Sequence, residues 1–295
     1  MKILLTGKNG QLGFELQRAL APLGEVVAVD QADCNLADAD ALRALVRSVA
    51  PDLIVNPAAY TAVDKAESDQ ALAFAVNAEA PRILAEEGAR RGALVLHYST
   101  DYVFDGTKEG AYTEDDAPNP QSVYGRSKHE GELALAKANP RHLILRTSWV
   151  VGAHGGNFAK TMLRLAAERE HLAVVADQFG APTSAALLAD ISALLVCQHQ
   201  REGTENFPYG IYHTAAAGET TWYDYARFVI AEAMAAGKAL KTSPDAVAPL
   251  TTDQYPTPAR RPTNSRLDTS RFRTTFNLRL PPWQEGVRHV LQQIF

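Results

Sequence analysis

Two groups of residues in this chain have the types and spacing that do chemistry. The first is Tyr124-Gly125-Arg126-Ser127-Lys128. On a helix, Tyr124 and Lys128 share one face, one turn apart. A free phenol has a pKa of about 10 and is a poor acid at neutral pH. A neighbouring ammonium stabilises the phenolate and is expected to pull that pKa down. Such a tyrosine can pass a proton to or from a carbonyl oxygen while hydride moves at carbon. Thr100, after Ser99, closes an apolar run that reads as a strand. Strand ends are where doubly wound sheets bind ligands, so its hydroxyl is placed to hold the same oxygen. By itself a Tyr-x-x-x-Lys pair is common on amphipathic helices, and its weight comes from the second group.

That second group is Gly7-Lys8-Asn9-Gly10-Gln11-Leu12-Gly13, directly after the apolar run Ile3-Leu4-Leu5. In such a loop Gly7 makes the tight turn, Gly10 lets backbone approach a pyrophosphate, and Gly13 lets the helix pack close. The pyrophosphate lies at the helix N-terminus, where free N–H groups and the dipole favour an anion. Gly7, Asn9, Gly10, Gln11, Leu12 and Gly13 are therefore candidate cofactor contacts. Asp30, closing the next apolar run, is placed to bind an adenosine ribose, which favours NAD. Lys8 is placed to meet a 2′-phosphate, which favours NADP, so both NADPH and NADH stay open. Loop and pair together imply a nicotinamide-dependent oxidoreductase.

The elements that must position these residues follow from periodicity. Strands are expected at Lys2–Thr6, Glu25–Asp30, Leu53–Asn56, Leu94–Ser99 and His142–Arg146, with helices at 11–23, 39–50, 71–92 and 122–138. Alternation of apolar strands with amphipathic helices implies an α/β fold, a doubly wound parallel sheet covered on both faces. The second half is less regular. It suggests a strand at Leu172–Val175, a helix at 184–198, a short strand at 210–214, a helix at 221–236, a long Pro- and Thr-rich loop over 244–262, and a last helix over 281–294. The expected division is a dinucleotide-binding domain over 1–146, with parts of 172–200 and 243–260 returning to it. A smaller, interleaved substrate lobe occupies mainly 147–295.

Composition narrows the function classes. The 295 residues are 46% hydrophobic, enough for a large core, and carry a net charge of −5 without a basic block. A nucleic-acid partner is therefore not expected. The longest apolar segment, 185–197, is interrupted by Asp190 and Ser192 and falls short of the roughly 20 residues of a membrane span. Lys2 already opens a strand, so no signal peptide is expected, and Cys34 and Cys197 make no disulfide framework. The expectation is a cytoplasmic protein. No His/Cys group has metal-ligand spacing.

Beyond the loop and the pair, further segments carry a resemblance. They are Asn56-Pro57-Ala58-Ala59-Tyr60-Thr61-Ala62-Val63-Asp64-Lys65-Ala66-Glu67, Ser99 to Gly106, Arg146 to Val150, Asn157-Phe158, Asp177 to Thr183, Arg261-Pro262 and Asn264 to Asp268. Over nearly its whole length the chain resembles the extended short-chain dehydrogenase/reductase superfamily and, within it, the dTDP-4-dehydrorhamnose reductases. The resemblance implies hydride transfer from NADPH or NADH to the C4 ketone of dTDP-4-dehydro-L-rhamnose. It makes Tyr124 the proton donor, Thr100 a partner of the C4 oxygen, and Lys128 the residue that tunes Tyr124 and binds the nicotinamide ribose. Trp149 then lines the sugar site. Ala58, Ala59 and Tyr60 are small or backbone contacts to the cofactor. Asp101, Val103, Phe104, Asn157 and Arg260, with Arg261 and Gln178, are substrate candidates. The resemblance also brings an association with Mg2+ at a carboxylate-lined subunit contact, for which Glu15 is a candidate. A homodimer is compatible with this reading.

Three other readings compete. A 4,6-dehydratase is disfavoured because Thr100 is followed by Asp101-Tyr102, without the second carboxylate that water elimination uses. An epimerase, or a reductase for another 4-keto-6-deoxyhexose, is not separated by motif. A non-catalytic regulatory relative would be expected to have lost Thr100, Tyr124 or Lys128, and all three are intact.

Overall fold

The computed structural model describes residues 1–295. Strands β1 (Lys2–Leu5), β2 (Glu25–Ala28), β3 (Leu53–Asn56), β4 (Leu94–Thr100) and β5 (His142–Thr147) form a parallel sheet in the order β5-β4-β3-β1-β2. A sixth strand, Gly210–His213, joins β5 in parallel at the far edge. The order reverses between β1 and β3, and a doubly wound sheet binds ligands at that switch point, beyond the strand C-termini. β3 and β4 are buried along their whole length, as strands covered on both faces must be.

Both faces are packed. On one, helix α1 (Gln11–Leu20) and helix Ala185–Glu202 contribute Leu12, Leu16, Leu188 and Leu195 to a core with Ile3, Leu5, Val55 and Leu96. On the other, helix α2 (Ala39–Val49) and helix Ala80–Arg91 place Leu42, Val46, Ile83 and Leu84 against Leu4, Ile54 and Val95. A separate core joins helices Phe158–Glu168, Trp222–Ala235 and Trp283–Ile294 around Tyr225, Val229 and Val287, forming a second lobe.

Several expectations about the second half are corrected. Gly210–His213 belongs to the central sheet. Helix Ala185–Glu202 packs on α1. Strand Leu172–Val175 does not return to the sheet. It pairs in parallel with Val247–Leu250, and both belong to the second lobe. The Pro-rich 244–262 stretch thus contains a strand. There Pro249 is exposed, and an edge strand tolerates its missing N–H. Helix Ser270–Phe276 was not anticipated. Its Phe272 and Phe276 plug the sheet-side core. The helix expected over 71–92 is broken by a π-turn at Ala75–Glu79, ahead of Pro81. No helix is long and apolar enough to cross a membrane.

Candidate active site

The glycine loop runs from β1 into α1. Gly7 adopts φ +62°, a left-handed conformation that side chains resist. A Cβ on Gly13 would lie 1.9 Å from the Gly7 carbonyl oxygen, so only glycine lets the helix start this close to the strand. Helix α1 has no side-chain cap and no acid in its first turn, which leaves its N-terminal N–H groups available to an anion. Ala58, past β3, lies against the loop, where a Cβ on Gly7 would be 3.0 Å from it. Leu12 points into the core, so only its backbone can face a cofactor.

At the β2 end, Asp30 Oδ1 accepts from the Ala32 N–H at 2.9 Å and Oδ2 accepts from the Asn9 amide. Lys8 Nζ is bound to Asp33 Oδ2 at 2.6 Å. The two opposing signals therefore sit side by side at the partly exposed end of β2, with the lysine already paired. Gln11 does something the sequence did not suggest. Its Oε1 accepts from the Gly152 N–H at 2.8 Å and the Asn157 amide at 3.0 Å, tying the loop to the second lobe. Asn157 caps helix Phe158–Glu168 through the Lys160 N–H, at 3.0 Å, and donates to the Gly152 carbonyl as well. With its amide N–H groups spent on Gln11 and Gly152, it is a junction residue between the loop and the second lobe.

Tyr124 and Lys128 lie on helix Val123–Ala138, which starts where Ser122 accepts from the Gly125 N–H at 3.1 Å. Asn77 in the π-turn holds this helix to the β3 extension. Its amide donates to Ser127 Oγ at 3.0 Å and to the Tyr60 carbonyl, and its oxygen accepts from the Tyr60 N–H. Thr100 closes β4, with its hydroxyl on the side of Tyr124, where it lowers the phenol pKa. It also donates to Asp101 Oδ1 at 3.1 Å and accepts from the Tyr102 N–H. Thr100, Tyr124 and Asp101 are thus brought together at the C-terminal edge of the sheet.

Lys128 is 2% exposed, and its Nζ donates to the Tyr98 carbonyl at 2.6 Å and lies 3.1 Å from His97 Nε2. Burial pulls its pKa down to about 8, against the opposing pull of Glu132. Burial pushes the Tyr124 phenol up from its ordinary value, and the Thr100 hydrogen bond offsets this only in part. Asp101 and Tyr102 push in the same direction as burial, and the phenol stays protonated at neutral pH. Burial also raises the Asp101 carboxyl to about 6, against hydrogen bonds from Ser265 and Thr100.

Other expected site residues separate. Val103 and Phe104 are buried in a small apolar cluster with Tyr112; Phe104 stacks on Tyr112 and lies under the Arg146 guanidinium. They are core, not cleft lining, because the turn after Asp101 folds them inward. Trp149 is half-buried and stacks on Trp222 with centroids 3.7 Å apart, its backbone at φ +49°. A left-handed tryptophan is strained and persists where packing overdetermines it. Arg260 is exposed, whereas Arg261 turns inward, with Nη1 3.3 Å from the Tyr102 hydroxyl and Nη2 2.7 Å from Asp64. The Tyr102 ring meets Tyr124 edge-on at 5.4 Å. Gln178 donates to Thr252.

A pocket of about 130 Å³ beyond β5 is lined by Ser148, Gly180, Ala181, Ala216, Glu219 and Arg266. Arg266 belongs to the Asn264 to Asp268 segment, but no motif pointed to Glu219; the two meet there from distant segments. A larger groove of about 340 Å³, near Leu194 and Cys197, lies away from these groups. No group of three or more His, Cys, Asp or Glu side chains could hold a metal ion, and Glu15 pairs with Arg18. These residues do not fit the expected Mg2+.

The profile of the family described as the RmlD substrate binding domain matches residues 1–295. The chain belongs to this family. It is 50% identical to the dTDP-4-dehydrorhamnose reductase of Escherichia coli (strain K12), over 100% of this chain and 98% of that protein. Among solved structures it is similar to a dTDP-4-dehydrorhamnose reductase from Clostridium acetobutylicum, with TM-score 0.90, 36% identity and 99% coverage of both chains. It is equally similar to the Bacillus anthracis dTDP-4-dehydrorhamnose reductase in complex with NADP, with TM-score 0.90 and 34% identity over 99% of this chain and 100% of that one. Family membership therefore rests on the whole length, with the second lobe included.

Proposed function

We propose that the chain reduces the C4 ketone of dTDP-4-dehydro-L-rhamnose to dTDP-L-rhamnose, using NADPH or NADH. The observation that carries this is the meeting of Thr100, Tyr124 and Lys128 at the sheet edge beside an uncapped helix N-terminus behind the glycine loop. Residues 1–146, with helix Ala185–Glu202 and strand Gly210–His213, make the dinucleotide-binding part, and the second lobe makes most of the sugar-nucleotide side. The nicotinamide, when bound, supplies the hydride. Gly7, Asn9, Gly10, Gln11, Leu12 and Gly13 hold its pyrophosphate, and Asp30 its adenosine ribose. Ala58, Ala59 and Tyr60 flank it, and Lys128 faces the nicotinamide ribose. Lys8 favours NADPH only when a 2′-phosphate displaces Asp33, so either nicotinamide is accepted.

A phenol held protonated is the form that reduction needs. As hydride arrives at C4, the carbonyl π electrons move to oxygen, and that oxygen takes the Tyr124 proton. Thr100 holds the oxygen by donating to it, turning its hydroxyl proton from Asp101 Oδ1 to the substrate. Trp149 borders the sugar, and Arg261, rather than Arg260, offers the diphosphate a cation.

The test is oxidation of NADPH and NADH with the keto sugar made in place by a 4,6-dehydratase and a 3,5-epimerase. Substrate-dependent oxidation yielding dTDP-L-rhamnose supports the reading. Oxidation only without the epimerase points to the unepimerised sugar, and no oxidation removes the reading. Tyr124→Phe should bind cofactor normally and lose on the order of a hundredfold or more in kcat. A near wild-type rate would remove Tyr124 from the mechanism.

A further inference from the structure

A polar chain crosses the interior of the sheet where apolar packing would be the cheaper choice. Thr6, after β1, donates to Asn56 Oδ1 at 2.5 Å. The Asn56 side-chain amide lies 3.0 Å from His97 Nδ1, and the Asn56 carbonyl oxygen lies 3.2 Å from the same nitrogen. His97 Nε2 lies 3.1 Å from Lys128 Nζ. Thr6, Asn56 and His97 have no exposed surface, and Lys128 has 2%. Buried polar groups are retained at such a cost only when fully bonded.

We infer that His97 is a positioning residue, a neutral imidazole carrying its proton on Nδ1 and accepting a hydrogen bond from the Lys128 ammonium at Nε2. The assignment follows from counting. An ammonium has three N–H donors and no acceptor. One goes to the Tyr98 carbonyl, and Nε2 takes a second only if it is unprotonated. The imidazole proton then sits on Nδ1, where the Asn56 carbonyl accepts it; the Asn56 side chain, whose nitrogen and oxygen are told apart only by their partners, then turns its oxygen to Nδ1 and its amide to Thr6 Oγ1. Two of the three donors are thereby fixed inside the protein, and the third is left for the cleft. Burial and the positive charge of Lys128 hold His97 in its neutral form.

The charged and titratable groups around Lys128 are few. They are His97 from β4, Tyr124 one turn back, and Glu132 one turn on along the same helix. Glu132 is itself held by Arg146 from β5 through two bonds of 2.8 and 2.7 Å. Its charge is thus largely answered elsewhere, and His97 is the side chain that bonds the ammonium directly.

The inference rests on the proposed reductase reading for its kinetic arm only. The full chain would be labelled with nitrogen-15, and the His97 ring signals identified by their loss in His97→Gln. Two-bond proton–nitrogen correlations near neutral pH should show the Nδ1–H tautomer. An Nε2–H tautomer or an imidazolium overturns the inference whatever the chain's activity. In the kinetic arm, His97→Leu removes the acceptor and should move the alkaline limb of kcat down by about one to two pH units, roughly a tenfold or greater loss near pH 8. His97→Gln, which still offers an acceptor, should leave that limb near its wild-type position. A loss of kcat in His97→Leu with the limb unmoved means that the imidazole only packs, and overturns the inference. If His97→Leu fails to fold, the tautomer and the His97→Gln profile decide.

Discussion

Replacing Asp101 by Asn should stabilise the protein at alkaline pH while damaging its activity. The carboxyl is 3% exposed, and its Oδ2 has no hydrogen-bond partner. Its pKa rises from 3.8 to about 6 on folding, with burial as the cause. A raised carboxyl pKa means that the native state binds more protons than the unfolded chain between those two values. Stability therefore falls as pH rises from about 4 to 6, and the full cost persists above. About two pH units at roughly 1.4 kcal/mol each give a cost of about 3 kcal/mol at pH 8. At pH 5 native Asp101 is mostly protonated, and about half of that cost remains. Asn keeps the shape without the charge. Urea unfolding followed by tryptophan fluorescence should show Asp101→Asn gaining stability over wild type at pH 8, with the gain about 1.5 kcal/mol smaller at pH 5. An equal gain at both pH values, or a loss at pH 8, would refute the reasoning. Turnover should fall in the same variant, because the amide that replaces the carboxylate can offer Thr100 its N–H in place of an oxygen and so no longer fixes the hydroxyl that meets the C4 oxygen.

Two further outcomes follow from named contacts. Gly13→Ala must move the Gly7 carbonyl or the start of α1, since the added Cβ would lie 1.9 Å from that oxygen; NADPH titration should show binding weakened by at least tenfold. Arg261→Ala removes a cation beside Tyr102 and should raise KM for the nucleotide sugar about tenfold, while KM for NADPH stays near wild type in steady-state assays.

The candidate site was legible to different depths. Thr100, Tyr124, Lys128 and the glycines were legible as candidates because each belongs to a local element: a strand end, an i,i+4 helix pair, a strand-to-helix turn. Asn157 and Phe104 looked like cleft residues in their motifs, yet the one is spent capping a helix and the other packs on Tyr112. His97 gave no signal at all, since a histidine in an apolar strand is ordinarily a core position. Its meaning depends on a helix begun some twenty-five residues later.

What the sequence determined by itself is the first half of the molecule. Continuous apolar runs alternating with helical periods, punctuated by glycine, leave a parallel doubly wound sheet as the arrangement that buries every apolar face. Short-range spacing also picked out the candidate side chains for the proposed chemistry. The tertiary structure alone decided the rest. It chose which late segments return to the sheet, because Gly210–His213 and Leu172–Val175 have similar local patterns and differ only in the partner they meet. It turned Arg261 inward and left Arg260 in water. It also set the direction of the Tyr124 and Lys128 shifts. Spacing shows which charges are neighbours, but desolvation depends on everything packed around them, and here it outweighs the neighbour.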